Sequence, residues 1–145
     1  MFATRYKSAL GKSCIDLPIH LRSPDILNIR NEDEKCFLWC VIAYLYPVEE
    51  HAYRVSNYTQ HVGKFNLKGV RFPPDINHID RFCKQNNIKV NLFELIDNGV
   101  EQRGVTIIKD YYTDNNLKGC NLLHYTDGVR RHYLLRRNIS KFYQE

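Results

Sequence analysis

The 145-residue sequence has no run approaching the roughly 18 to 20 apolar residues that a membrane span needs. Its first residues, Met1-Phe2-Ala3-Thr4-Arg5-Tyr6-Lys7, carry charge with no apolar signal core behind it. Both absences lead us to expect a soluble, intracellular protein of the cytoplasm or nucleus, not one secreted by that route. Internal repeats, low-complexity runs and linker-like stretches are also missing, so one domain is expected. Residues 1–13 read as a weakly structured extension and residues 14–145 as the domain. The five cysteines are odd in number and irregularly spaced, which excludes a simple disulfide framework and suits reduced thiols. No Cys-x-x-Cys or His-x-x-x-His pair completes Cys36 and Cys40, so the common structural zinc patterns are not met and no metal or cofactor is expected.

What is present is an ordinary globular composition, long enough for a real core, with 43% hydrophobic and 26% charged residues. The net charge of +5 is spread along the chain, densest at Arg130-Arg131 and Arg136-Arg137. Scattered basicity reads first as a solvated surface, with nucleic-acid affinity as the alternative.

Cys36 to Tyr46 is the most informative segment: eleven residues without a charge, closed by Pro47. Apolar groups on every side predict a helix buried all round. The acidic run Glu32-Asp33-Glu34 lies where a helix N-terminus favours negative charge, and Asp33 is the expected N-cap. Residues 48–57 suggest a short amphipathic helix. Asp75 caps a further helix with Ile76, Ile79, Phe82 and Cys83 at helical spacing, ended by Asn86-Asn87. Strands are expected at Ile88 to Leu95, Val105 to Ile108, Cys120 to Tyr125 and Arg131 to Arg137, the last two joined by a Thr126-Asp127-Gly128 hairpin turn. Residues 13–18 read as a short extended piece followed by a polar loop. The pattern is α+β.

A cysteine at the start of a helix is favoured as thiolate by the macrodipole, and the backbone N–H groups there can hold an oxyanion. Cys36 occupies that position, and Cys40, one turn on, reads as a core thiol. His132 opens a strand just after a hairpin turn, where its ring can meet a helix terminus packed across the sheet. His124, in the preceding strand, is the second candidate base. His20, His51, His61 and His78 lie in loops or on polar faces. Phe37 and Trp39 read as packing residues.

Asp33-Glu34-Lys35-Cys36-Phe37 before an apolar helix resembles the catalytic-cysteine segment of the ovarian-tumour (OTU) family of papain-like deubiquitinases. Residues 75–82, 88–93 and 120–125 resemble that family's second helix, following strand and penultimate strand, and His132-Tyr133 its catalytic His-aromatic pair. Residues 15–18, 31–39 and 132–138 also resemble a domain of Maverick/Polinton-type mobile-element proteins. The resemblance implies a central helix starting at the nucleophile and packed on a small, mostly antiparallel sheet. It implies a monomeric cysteine protease acting on ubiquitin or a ubiquitin-like modifier, with Cys36 as nucleophile, His132 as base and Asp33 supporting the loop beside Cys36. That family usually carries Asp or Asn two residues after the histidine, and here that position is Leu134. The third member is left open among Asn31, Asp33, Asn138 (roughly 20 Å from His132 along an extended strand) and none. A non-enzymatic nucleic-acid- or protein-binding module of mobile-element origin is the alternative function.

Overall fold

The computed structural model describes residues 15–97, 103–110 and 119–137. The expected extension at residues 1–13, Cys14 and Asn138 lie outside the described residues. The elements in chain order are strand β1 (Ile26–Leu27), helix α1 (Cys36–Leu45), helix α2 (Ile76–Asn86), and strands β2 (Val90–Asp97), β3 (Arg103–Asp110), β4 (Cys120–Thr126) and β5 (Arg131–Arg136). Short 3-10 turns occupy Ile19–Leu21, Val55–Asn57 and Thr59–Lys64. The five strands run in the order β1-β5-β4-β2-β3. The β2–β4 pair is parallel and the other three pairs are antiparallel, so the class is α+β with a mixed sheet.

Helix α1 forms where the uncharged run predicts it. Residues 36 to 43 are all buried, and the last turn opens to solvent at Tyr44 and Leu45. Pro47 disfavours helical geometry at the residue before it, and the Tyr46 N–H closes the end on the Ile42 carbonyl at 2.7 Å. The N-terminus departs from expectation. Lys35, not Asp33, is the N-cap residue and makes no side-chain cap bond. Asp33 sits two residues too early to cap; its Oδ1 instead accepts the Lys35 N–H at 3.0 Å as an Asx turn.

Helix α2 starts as expected, with Asp75 accepting the His78 N–H at 2.8 Å, and ends at Asn87 in the left-handed region (φ 54°). Ile79, Phe82 and Cys83 are buried, but Ile76 is exposed. Residues 48–57 do not form the expected amphipathic helix. Side chains there bond the backbone locally instead: Asn57 Nδ2 donates to the His51 carbonyl at 2.8 Å and Tyr58 Oη to the Ala52 carbonyl at 2.5 Å. Strand β1 falls inside the expected polar loop, paired only with β5.

Strand alternation sorts the interior into two layers. Val90, Leu92, Cys120, Leu122 and Leu135 meet α1 and α2 on one face. Phe93, Leu123, Tyr125 and Leu134 point to the other, where Ile15, Leu17 and Leu21 cover them. Each fully buried Leu, Ile or Phe of these layers contributes about 1.5–3 kcal/mol. The β4–β5 turn forms at Thr126-Asp127-Gly128 as expected, with Gly128 at φ 96°.

Candidate active site

The architecture delivers the first residue of α1 to the start of β5. The Tyr133 N–H donates to Cys36 Sγ at 3.4 Å, so the thiol lies against the backbone one residue on from His132. The Tyr133 N–H and the positive end of α1 both face the sulfur, which is itself buried. Cys36 lines a cleft of about 280 Å³ whose walls include Glu34, Pro74, Asp75, His124 and Tyr133. A wider groove of about 860 Å³ shares Pro74, Asp75, His124 and Tyr133 and reaches Leu92 and Glu94. The other thiols belong to the core. Cys40 Sγ donates to the Tyr133 carbonyl at 3.4 Å. Burial pushes the Cys40 and Cys120 thiols well up, and Cys83 to about 12, so they stay protonated.

Asp33 holds the loop that leads into Cys36. Its Oδ1 accepts from Lys35 N at 3.0 Å, Asn31 Nδ2 at 3.0 Å and Trp39 Nε1 at 3.1 Å. One carboxylate thereby ties the approach to the helix to its first turn. Two expectations change. Asn31 is buried with its amide nitrogen committed to Asp33, which makes it a brace of the loop. The Lys35 N–H, which the sequence counts among the backbone donors around the helix start, is bonded to Asp33 and so is not open to an oxyanion. Trp39 packs in the core, as read from the sequence, and is also the hydrogen-bond strut between helix and loop.

His132 is fully buried, and its Nε2 lies 2.7 Å from Asn28 Oδ1. Asn28 was not among the sequence candidates. The two residues are 104 positions apart, and nothing local in Leu27-Asn28-Ile29 names a partner. The one available signal is alternation: Leu27 and Ile29 belong to the helix-side core, which turns Asn28 toward the opposite face. Leu134, two residues after His132, joins the apolar cluster on that face and contributes packing alone.

Strand alternation separates the two candidate bases. His132 shares its face with Leu134, whereas His124 stands opposite Tyr133 in the β4–β5 register, on the α1 side. There His124 lines the cleft with Cys36, its ring 5.1 Å from that of Tyr133 and its Nδ1 3.2 Å from Glu94 Oε1. Of the other histidines, His78 is held by the Asp75 cap at 2.7 Å, and His61 stacks on Tyr46 at 3.9 Å. Among the described residues, no group of three or more His, Cys, Asp or Glu side chains is placed to hold a metal ion. Among them too, no helix is long and apolar enough to cross a membrane.

Comparison of the chain with protein-family models, with curated proteins and with solved structures finds no match.

Proposed function

We propose that this chain is a papain-like cysteine peptidase or isopeptidase of OTU type, with Cys36 as nucleophile and His132 as general base. The observation that carries the reading is the Cys36 thiol, set at the N-terminus of a buried helix, beside a cleft, and hydrogen-bonded to the backbone next to a buried, hydrogen-bonded histidine. In the cycle, His132 takes the thiol proton at β5, where Cys36 Sγ lies against the adjoining Tyr133 N–H, and Sγ attacks the scissile carbonyl carbon. The tetrahedral oxyanion is held by backbone amides of the first turn of α1, without Lys35. Collapse breaks the C–N bond, and the leaving amine takes the proton from the imidazolium. Water then attacks the thioester with His132 again as base, releasing the acid and restoring the thiol. Asp33 acts through the loop it braces, not on the substrate.

The resemblance points to ubiquitin or a ubiquitin-like modifier as substrate. Glu34 and Asp75 beside Cys36 and Glu94 in the adjoining groove are acidic, but Arg130 and Arg131 line the same cleft, so the lining is mixed in charge and the substrate class rests on the resemblance alone. The alternative nucleic-acid reading is weakened by the internal use of its basic residues. Arg130 bonds Asp127 at 3.2 Å, Arg136 lies 3.8 Å from Asp25 and Arg137 bonds the Pro24 carbonyl at 2.9 Å. One observation favours a second base: His124, not His132, lines the cleft with Cys36.

The test is a ubiquitin probe bearing a C-terminal electrophile, run beside a small alkylating reagent. Covalent capture by the wild type, lost in Cys36→Ala and kept in Cys40→Ala, is expected. A folded protein whose Cys36 reacts with neither reagent would remove the proposal.

A further inference from the structure

We propose that Asn28 is a positioning residue that fixes the tautomer of His132 and ties the base to the segment beginning at Ile15. The inference rests on the reading of Cys36 and His132 as the reacting pair. It starts from two contacts of one amide: Asn28 Nδ2 donates to the Ile15 carbonyl at 2.7 Å, and Asn28 Oδ1 faces His132 Nε2 at 2.7 Å. An amide oxygen and nitrogen are interchangeable in shape, so the surroundings must decide between them. Turning the amide over would set its oxygen against the Ile15 carbonyl oxygen, two acceptors at hydrogen-bond distance. The Ile15 carbonyl therefore holds the nitrogen, and the oxygen is left to face the imidazole.

An amide oxygen only accepts, so His132 Nε2 carries the hydrogen. In the neutral ring the lone pair is then on Nδ1, the atom that must take the thiol proton. This is the service an orienting third group gives a catalytic imidazole, since the wrong tautomer presents N–H where a base is required. Leu134 cannot give it. Asn28 does so from the polypeptide before α1, next to the strand that pairs with β5.

The same contact explains the burial of the base. Ile15, Leu17 and Leu21 cover the sheet face that carries Leu134 and Tyr125, and His132 is fully buried there. The Asn28 contact satisfies one of the two nitrogens of this buried ring, Nε2. The segment from Ile15 to Asn28 is thus part of the machinery of the base.

Ring-nitrogen NMR of ¹⁵N-histidine-labelled full-length protein tests this directly, alongside the rate at which a small alkylating reagent modifies Cys36. In the wild type above the imidazole pKa, His132 should show a protonated Nε2 and an unprotonated Nδ1. Asn28→Leu should mix or invert the tautomers and slow Cys36 modification by roughly 10-fold or more, well within the roughly 10⁴ that a wrong histidine tautomer costs a catalytic triad. A wild-type His132 protonated on Nδ1, or an Asn28→Leu protein with tautomer and rate unchanged, overturns the proposal. If Asn28→Leu does not fold, the wild-type spectrum still decides, since a ring protonated on Nδ1 is incompatible with Asn28 Oδ1 facing Nε2. An inert Cys36 would refute the nucleophile–base reading, whereas the tautomer spectra judge Asn28 separately.

Discussion

Replacing Asp33 with alanine takes one acceptor away from three donors. Two of those donors, Asn31 Nδ2 and Trp39 Nε1, belong to buried side chains, and the third is the Lys35 N–H. A hydrogen bond to an ionised acceptor is worth about 1.5–3 kcal/mol, and a buried donor left without a partner keeps its desolvation cost. Asp33 itself is half-buried, so water can enter at its outer side and the low end of the range applies. Trp39 Nε1 loses its partner at about 1.5 kcal/mol, whereas Asn31 Nδ2 keeps the Asp33 carbonyl at 2.8 Å, so the loss is about 1.5–2 kcal/mol, with little added by the Lys35 amide. For a domain of this size that is a fall in Tm of roughly 5 °C. Trp39→Phe removes one donor while keeping most of the packed ring, and should cost about 1.5 kcal/mol alone. Because both changes sever the same bond, the double variant should be less destabilised than the sum of the singles by about that amount. Urea unfolding followed by fluorescence or circular dichroism measures all three. In addition, Asp33→Ala should slow alkylation of Cys36, since the loop positioning the start of α1 is released. A loss below about 0.5 kcal/mol for Asp33→Ala, or strict additivity with Trp39→Phe, would refute the picture of Asp33 as the tie between loop and helix.

The two histidines are separable by rate: His132→Gln should lower Cys36 alkylation near neutral pH by roughly 100-fold or more and His124→Gln by less than about 10-fold, and the reverse order would transfer the base to His124. Burial raises the Cys83 thiol from an ordinary 9.0 to about 12. Its neutral form is the one the fold favours, so this stability is full below the unfolded pKa and is lost as pH rises from about 9 to 12; Cys83→Ala should flatten urea midpoints across that window. Ile42→Ala, in the fully buried stretch of α1, should cost about 2–5 kcal/mol by urea unfolding, with a smaller loss marking a core that collapses around the gap.

Much of the scaffold was legible because its causes are local. The uncharged run ending at Pro47 sets α1, the Asp75 cap and the period of Ile79, Phe82 and Cys83 set α2, and Thr126-Asp127-Gly128 closes the β4–β5 turn. Each is written within one or two turns of chain, where propensity, capping and φ > 0 at glycine act. Residues 48–57 misled the same rules, because side-chain bonds to backbone outcompeted a weak amphipathic pattern.

The sequence by itself determined which residues could serve as nucleophile, base and loop brace: Cys36 begins its helix, His132 opens its strand and Asp33 stands just upstream. Only the tertiary structure decided how they are connected. Periodicity states which face of a strand is apolar but not what covers it. The residues 15–21 that seal the face holding His132, the parallel pairing of β2 with β4 and the pairing of β1 with β5 therefore had no local signature. Asn28 shows why most plainly. Its amide matters because folding brings it to a histidine 104 residues away while the Ile15 carbonyl fixes which end faces the ring, and both facts are properties of long-range packing.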